Sequence, residues 1–364
     1  MRLLSKIDKQ VFNQAHGGDI GKIASFLEMA PEDFTDFSVN INPFGPPPEV
    51  LSAIRHSAGA VQNYPDAAAA AFIEALGVRT GIEPRCLVPG NGSAELLYWL
   101  TAWLKPRRAL IVEPSFSDYR RAAEANGCAT VSLRLKEDNG FEVDWTLFEW
   151  SAAAVDVVIM GRPNNPTGNL CDAAGLRDIA ARHPETIFIV DEAFIDFVDD
   201  VEARALTEDI GANMVILRSM TKIYAIPGLR LGYLVAAETM ARRLNAARPP
   251  WPLGAGQISA GIAALNLKGF IESSRERLAA ERHFLLSELG AMAALQPFAG
   301  CANFILIKIL DRRMDSAHLT LALAKRGLYV RDCASFQLGD DYIRVAVRTR
   351  EDNKLLVKKL KEIL

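Results

Sequence analysis

Six short strand-like runs set the strongest limit on what this chain can become. Ala109–Val112, Thr130–Leu135, Val155–Met160, Ile187–Val190, Met214–Arg218 and Leu231–Val235 recur between polar turns and helical segments. Several are apolar without interruption, the pattern of strands buried on both faces. The stretches Asp118–Asn126 and Asp172–Arg182 between them carry helical spacing. Strands that alternate with helices predict a mostly parallel sheet covered on both sides.

Beyond residue 250 the pattern changes. A long helical stretch, Ile258–Leu289, precedes a strand at Asn303–Lys308, a helix at 316–326, strands at 327–331 and 342–347, and a final helix. That order predicts a smaller α+β unit. Upstream, Pro43, Gly45, Pro46, Pro47 and Pro48 mark extended or turning chain, with a helix from Pro48 to about His56. Asp66–Leu76 reads as a helix capped by Asp66, and Ser93–Leu104 as another. The expected division is an N-terminal segment, 1–47, that closes the site, a large unit, 48–250, and a small C-terminal unit, 251–364.

Composition narrows the function classes. A chain of 364 residues with 50% hydrophobic side chains buries its core without covalent staples. Its 41 basic and 44 acidic residues lack the broad positive footprint of a nucleic-acid binder. Cys86, Cys128, Cys171, Cys301 and Cys333 form no Cys-x-x-Cys pair, and no histidine stands at zinc-ligand spacing. Reduced thiols in a cytoplasmic compartment, without a metal, are expected. No apolar run approaches the roughly 18 residues of a membrane span. The opening MRLLSKIDKQ lacks the apolar centre of a signal peptide.

Four motifs follow strand-like runs. Pro89-Gly90-Asn91-Gly92-Ser93-Ala94-Glu95 joins a run to a helix. Its glycines let the backbone approach an anion, and a helix N-terminus offers free N–H groups. Arg162-Pro163-Asn164-Asn165-Pro166-Thr167-Gly168 is a turn at a strand end, where open α/β sheets place ligands. Asp191-Glu192-Ala193-Phe194 puts a carboxylate at another strand end, where it needs a partner such as a protonated ring nitrogen. Ser219-Met220-Thr221-Lys222 is followed by Arg230: an amine among small hydroxyls, then a guanidinium suited to phosphate.

In order and spacing these motifs resemble the class I/II aminotransferases of fold type I, enzymes that bind pyridoxal 5′-phosphate. The resemblance implies a mostly parallel seven-stranded sheet beside a smaller α+β domain. It implies that Lys222 holds the cofactor as a Schiff base, and that Asp191 pairs with the ring nitrogen. Asn165 would donate to the ring 3′-oxygen, and Phe116 would stack on the ring. Ser93, Ala94, Ser219, Thr221 and Arg230 would hold the phosphate. Tyr64, in Tyr64-Pro65-Asp66, would reach the phosphate of a neighbouring subunit, which implies a homodimer. Relatives commonly carry tyrosine at the position of Phe194, which cannot supply that hydroxyl.

Within the family the chain is most similar to the branch of histidinol-phosphate aminotransferases and of the threonine-phosphate decarboxylases of cobalamin synthesis. Five elements lean toward the decarboxylases: His16-Gly17-Gly18-Asp19, the segment Asp36–Gly45, Asp191–Phe197, Val330-Arg331-Asp332-Cys333, and Tyr342–Arg348. This implies a doubly anionic substrate, O-phosphothreonine, engaged by Arg331 and Arg344, with His16 and Asn40 closing the site. Arg348 is a weaker candidate. The expected reaction is decarboxylation to 1-amino-2-propanol O-phosphate; transamination of histidinol phosphate or a related amino acid is the alternative. Phosphoserine differs from phosphothreonine by one methyl, which a pocket discriminates by only about 1–3 kcal/mol.

Overall fold

The structure is a computed structural model that describes residues 16–364. The N-terminal decapeptide weighed above against a signal peptide lies outside the described residues. In chain order the strands are β1 (Thr35–Asp36), β2 (Leu87–Gly90), β3 (Arg108–Glu113), β4 (Ala129–Arg134), β5 (Val157–Gly161), β6 (Ile187–Asp191) and β7 (Met214–Ser219). There follow β8 (Gly232–Ala236), β9 (Leu295–Phe298), β10 (Phe304–Ile309), β11 (Leu328–Tyr329), β12 (Arg331–Asp332) and β13 (Tyr342–Ala346).

The larger sheet has seven strands in the order β2-β8-β7-β6-β5-β3-β4. The pairs β3–β4, β3–β5, β5–β6 and β6–β7 are parallel. Only β8 runs against its neighbours. Its connection from β7, the Met220–Leu231 segment that carries Lys222, folds over the strand end instead of crossing a sheet face. The central runs are apolar because both faces are covered, whereas the edge strand β4 is mostly exposed. Leu110, Val112, Val158 and Met160 pack on one side. Ala109, Ile111, Val157 and Ile159 pack on the other.

The smaller sheet, β12-β13-β10-β9, is antiparallel, and β1 pairs with β11 in a two-stranded parallel ladder. Three expectations need correction. The strand expected at 327–331 is two strands, because the chain changes partner at Val330. Leu328–Tyr329 pairs with Thr35–Asp36, and Arg331–Asp332 pairs with β13. The helix expected over Ile258–Leu289 is two helices, Ala255–Leu265 and Phe270–Gly290. They part before Gly269, whose φ of +73° no right-handed helix accepts. Asp66 does not cap the next helix directly. Its carboxylate accepts from the amides of Ala68 and Ala70 within a turn, and the helix runs Ala70–Thr80.

The sequence reading also passed over the helices Trp145–Ala152 and Glu238–Ala247 and the short strand β9. No described helix is long and apolar enough to cross a membrane. All five cysteines are unpaired.

Candidate active site

Because β5, β6 and β7 are parallel, their C-terminal ends meet at one edge of the larger sheet. Gly161 pairs with Asp191, and Asp191 with Leu217, so three of the four motifs leave the sheet side by side. The fourth arrives through β8. Gly232 pairs with Gly90 on one side and Ser219 on the other, which sets the glycine turn beside the Ser-x-x-Lys segment.

That glycine turn forms a cradle. Gly92 takes φ +88° before the helix Ser93–Leu104, and no side chain caps the helix. A Cβ on Gly92 would lie 2.7 Å from Arg230 Nη2. One on Gly232 would lie 2.8 Å from the Ser93 nitrogen. Bare glycines therefore let Arg230 come against the open N-terminus of the helix, which begins with Ser93 and Ala94. Ser219 Oγ and Thr221 Oγ1 are 2.8 Å apart at the adjacent strand end. Gln257 Nε2 ties the two loops, donating to Asn91 Oδ1 and the Arg230 carbonyl, each at 2.8 Å. Backbone N–H groups, two hydroxyls and a guanidinium are the donor set of a phosphate site.

Beside the cradle stand an amine and a carboxylate. Burial pushes the Lys222 amine down to about 8, and the positive charges of Arg230 and Arg344 act in the same direction. Asp191, which would draw it up, is outweighed. Burial pushes the Asp191 carboxyl up to about 6, against the amide of Ala193 and the hydroxyl of Tyr119, each donating over 3.0 Å. Phe116 lies next to Tyr119, with ring centroids 5.7 Å apart and edge-on. Phe194 packs its ring edge-on against Phe304 at 5.0 Å.

The N-terminal segment reaches the same place. Gly17 and Gly18 lie flush on Ser38 and Val39: a Cβ on Gly17 would meet the Ser38 carbonyl at 2.5 Å, and one on Gly18 would meet Val39 at 2.8 Å. The Gly18 amide donates to Ser38 Oγ over 2.9 Å. This contact delivers His16 to Phe116, with ring centroids 5.6 Å apart, and to Asp118 at 3.4 Å. Two residues past Asn40, the Asn42 amide donates to the Lys222 carbonyl. Asn40 itself is buried, with Oδ1 unpartnered.

The smaller sheet supplies the opposite wall. Arg331 and Arg344 pair across β12 and β13 and are both buried, so two guanidiniums share one face. Arg344 donates to the Ser38 carbonyl over 2.6 Å and to Asn165 Oδ1, leaving the Asn165 amide nitrogen as its donor end. Its Nε is buried without a partner, and no carboxylate among the described residues lies within ion-pair distance of it. Burial lowers the pKa of both arginines, and for Arg344 the charge of Arg331 adds to it. Arg331 donates to Ser335 Oγ over 2.6 Å and stacks near Phe336.

Two sequence candidates stand outside this cluster. Tyr64 is 81% exposed and stacks on Trp251, with centroids 4.5 Å apart. Arg348 is committed elsewhere, to Asp352 and to the Asp36 carbonyl, each at 3.0 Å. Its side chain braces the N-terminal segment. The sequence reading also missed Tyr119, Asn42, Ser335 and Gln257. Only tertiary contacts single these out, although Asn42 and Tyr119 lie in or beside quoted motifs. Glu192, the second residue of Asp-Glu-Ala-Phe, turns away from Asp191. It accepts from Arg162 and from the Leu206 amide in a fully buried network behind the strand ends.

This geometry agrees with the comparisons. The profile of the family "Aminotransferase class I and II" matches residues 32–360. A threonine-phosphate decarboxylase of Salmonella typhimurium is 34% identical over 358 residues, 97% of this chain and 98% of that protein. A histidinol-phosphate aminotransferase of Symbiobacterium thermophilum is 34% identical over 342 residues, 93% of this chain and 92% of that protein. The solved structure of the histidinol-phosphate aminotransferase from Clostridium acetobutylicum superposes with a TM-score of 0.84 at 27% identity, covering 91% of this chain and 99% of that one. The family and the glycine-lined cradle together indicate pyridoxal 5′-phosphate as the cofactor. A seven-stranded sheet edge that gathers four motifs, matched along nearly the whole chain, identifies the protein as a member of the class I and II aminotransferase family.

Proposed function

We propose that the protein decarboxylates O-phospho-L-threonine to 1-amino-2-propanol O-phosphate, a reaction of cobalamin biosynthesis. The observation that carries this reading is the buried arginine pair, Arg331 and Arg344, of which Arg344 bonds Asn165 and Ser38 and acts on the Lys222 amine, while the His-Gly-Gly element docks on the same Ser38. Arg344, a buried guanidinium whose Nε is unpartnered, calls for an anion. The substrate offers two, a carboxylate and a phosphate. The decarboxylase of Salmonella typhimurium, similar over nearly the full length of both chains, supports the same reading.

The residues divide the work. Ser93, Ala94, Ser219, Thr221 and Arg230 would hold the cofactor phosphate. Asp191 would pair with the ring nitrogen, Phe116 would pack on the ring, and Asn165 would donate to the ring 3′-oxygen. Bound pyridoxal 5′-phosphate supplies the electron sink for the pair of electrons left on the substrate Cα. Arg331 and Arg344 take the two anions, with His16 and Asn40 closing over them. Their placement would orient the substrate, and so would decide which bond to Cα breaks. Lys222, with an amine that titrates near neutrality, returns a proton to Cα.

The working form is a homodimer in the cytoplasm, in which the exposed Tyr64 reaches the neighbouring phosphate site. Each subunit divides into the segment 1–47 and the units 48–250 and 251–364. A second reading, transamination of histidinol phosphate or a related amino acid, is supported by the equally identical aminotransferase of Symbiobacterium thermophilum. The test is a product assay with cofactor-loaded protein and O-phospho-L-threonine in the absence of any keto acid. Sustained CO₂ and aminopropanol phosphate over many turnovers is expected. A single half-reaction with histidinol phosphate and no CO₂, after which 2-oxoglutarate accepts the amino group and restores the aldehyde form of the cofactor, would establish the aminotransferase.

A further inference from the structure

Asp191 is held by a residue that belongs to none of the four motifs. The Tyr119 hydroxyl donates to Asp191 Oδ2 over 3.0 Å, while the Ala193 amide holds Oδ1. Tyr119 opens the helix Asp118–Ala125 and is buried, its ring edge-on to Phe116. Its hydroxyl reaches the carboxylate across Gly161, the β5 residue paired with Asp191. A Cβ on Gly161 would stand 2.9 Å from the Tyr119 oxygen, inside van der Waals contact, so this hydroxyl fits only over a glycine.

We propose that Tyr119 is a positioning residue for the cofactor ring: seated on the bare backbone of Gly161, its hydroxyl fixes the rotation of the Asp191 carboxylate and favours its ionised form. The inference rests on the reading of Asp191 as partner of the ring nitrogen. A buried carboxylate that accepts one hydrogen bond per oxygen keeps one orientation, and each bond favours the charged form. Two neighbouring charges act on it: Lys222, whose positive charge also favours ionisation, and Glu192, which opposes it from the buried network behind the strand ends. Burial is the largest influence and disfavours the charge, so the hydroxyl acts where the balance is close. Tyr119 is itself held strongly neutral by burial and by Asp191, and remains a donor throughout the physiological range.

The experiment compares wild type with Tyr119→Phe, Gly161→Ala and Asp191→Asn. Pyridoxal 5′-phosphate affinity is measured by absorbance titration from pH 5 to 8, alongside kcat and KM. Tyr119→Phe keeps the ring packed on Phe116 and removes only the hydroxyl. Its cofactor affinity is expected to fall about 5–10-fold, the size of one ordinary hydrogen bond, since the hydroxyl acts through the carboxylate. The acidic midpoint of cofactor binding should move to higher pH, and kcat should fall while amino-acid KM stays within about twofold. Gly161→Ala, which displaces the hydroxyl without deleting it, should move the same midpoint in the same direction. A merely structural role would lower the melting temperature and leave that midpoint in place. Wild-type affinity and midpoint in Tyr119→Phe, with Asp191→Asn strongly impaired, would overturn this inference alone. Unimpaired cofactor binding in Asp191→Asn would overturn the underlying reading of Asp191 instead.

Discussion

The two walls of the site are built on opposite principles. The wall on the larger sheet is made of consecutive residues: each strand ends in a short motif, and the backbone itself provides donors at Ser93 and Ala94. The wall on the smaller sheet is made of residues far apart in sequence, with Arg344 bonded to Ser38 and Asn165 from three separate parts of the chain. On the proposed reading, one wall would place a phosphate and a ring by local geometry, and the other would place the substrate anions by packing. A family that keeps its cofactor and changes its substrate is expected to vary the second wall, because it can move without disturbing the first.

The largest effect should come from the first wall. Lys222→Ala removes the buried amine at the strand ends and should abolish turnover and the absorbance of covalently held cofactor; a normal yellow spectrum would refute its role. In wild type, an amine titrating near 8 is protonated below that pH and neutral above it. Capture of the cofactor aldehyde by the protein without bound cofactor should therefore quicken as pH rises through about 8 and level off above it. An ordinary lysine would go on quickening toward its usual value near 10.5.

The next effect separates the walls. Arg344→Ala removes a buried donor worth about 2–3 kcal/mol to an anion. The KM for a doubly anionic substrate should rise by roughly thirty- to a hundredfold, with cofactor affinity changed far less. Equal loss of both would mean that the walls are not separable. Gly92→Ala is the converse: it pushes a methyl against Arg230 in a backbone region that favours glycine. Cofactor affinity should fall about tenfold, with substrate KM little changed once the protein is saturated.

The smallest effect tests the boundary. Arg348, near Arg344 in sequence, is spent on Asp352 and the Asp36 carbonyl. Arg348→Ala should lower stability by about 0.5–1 kcal/mol, as expected for a half-exposed ion pair. It should leave KM within twofold. A large KM change would bring it into the substrate wall.

The larger sheet was legible because its strands are buried on both faces and read as uninterrupted apolar runs, and because Asn165, Asp191 and Lys222 each follow one directly. The smaller sheet was less so. The sequence reading joined β11 and β12 into one strand, since nothing in Leu328–Asp332 signals that hydrogen-bonding partners change at Val330. It also ran two helices together across Asn266–Gly269, where helix-forming residues flank a break that only Gly269 marks. Arg344 and Arg348 illustrate the same limit within the site. They are the same residue type in neighbouring positions, and only their partners divide them.

By itself the sequence determined the layered sheet, the order of its motifs and the amine, carboxylate and phosphate donors at its edge. These depend on hydrophobic pattern and on short segments whose geometry is local. Only the tertiary structure decided that Arg331 stands beside Arg344, that Gly17 and Gly18 exist to dock His16, and that Tyr119 crosses Gly161 to hold Asp191. Those contacts join distant parts of the chain through strand register and the absence of a Cβ. Neither leaves a mark in the order of residues until the backbone has folded.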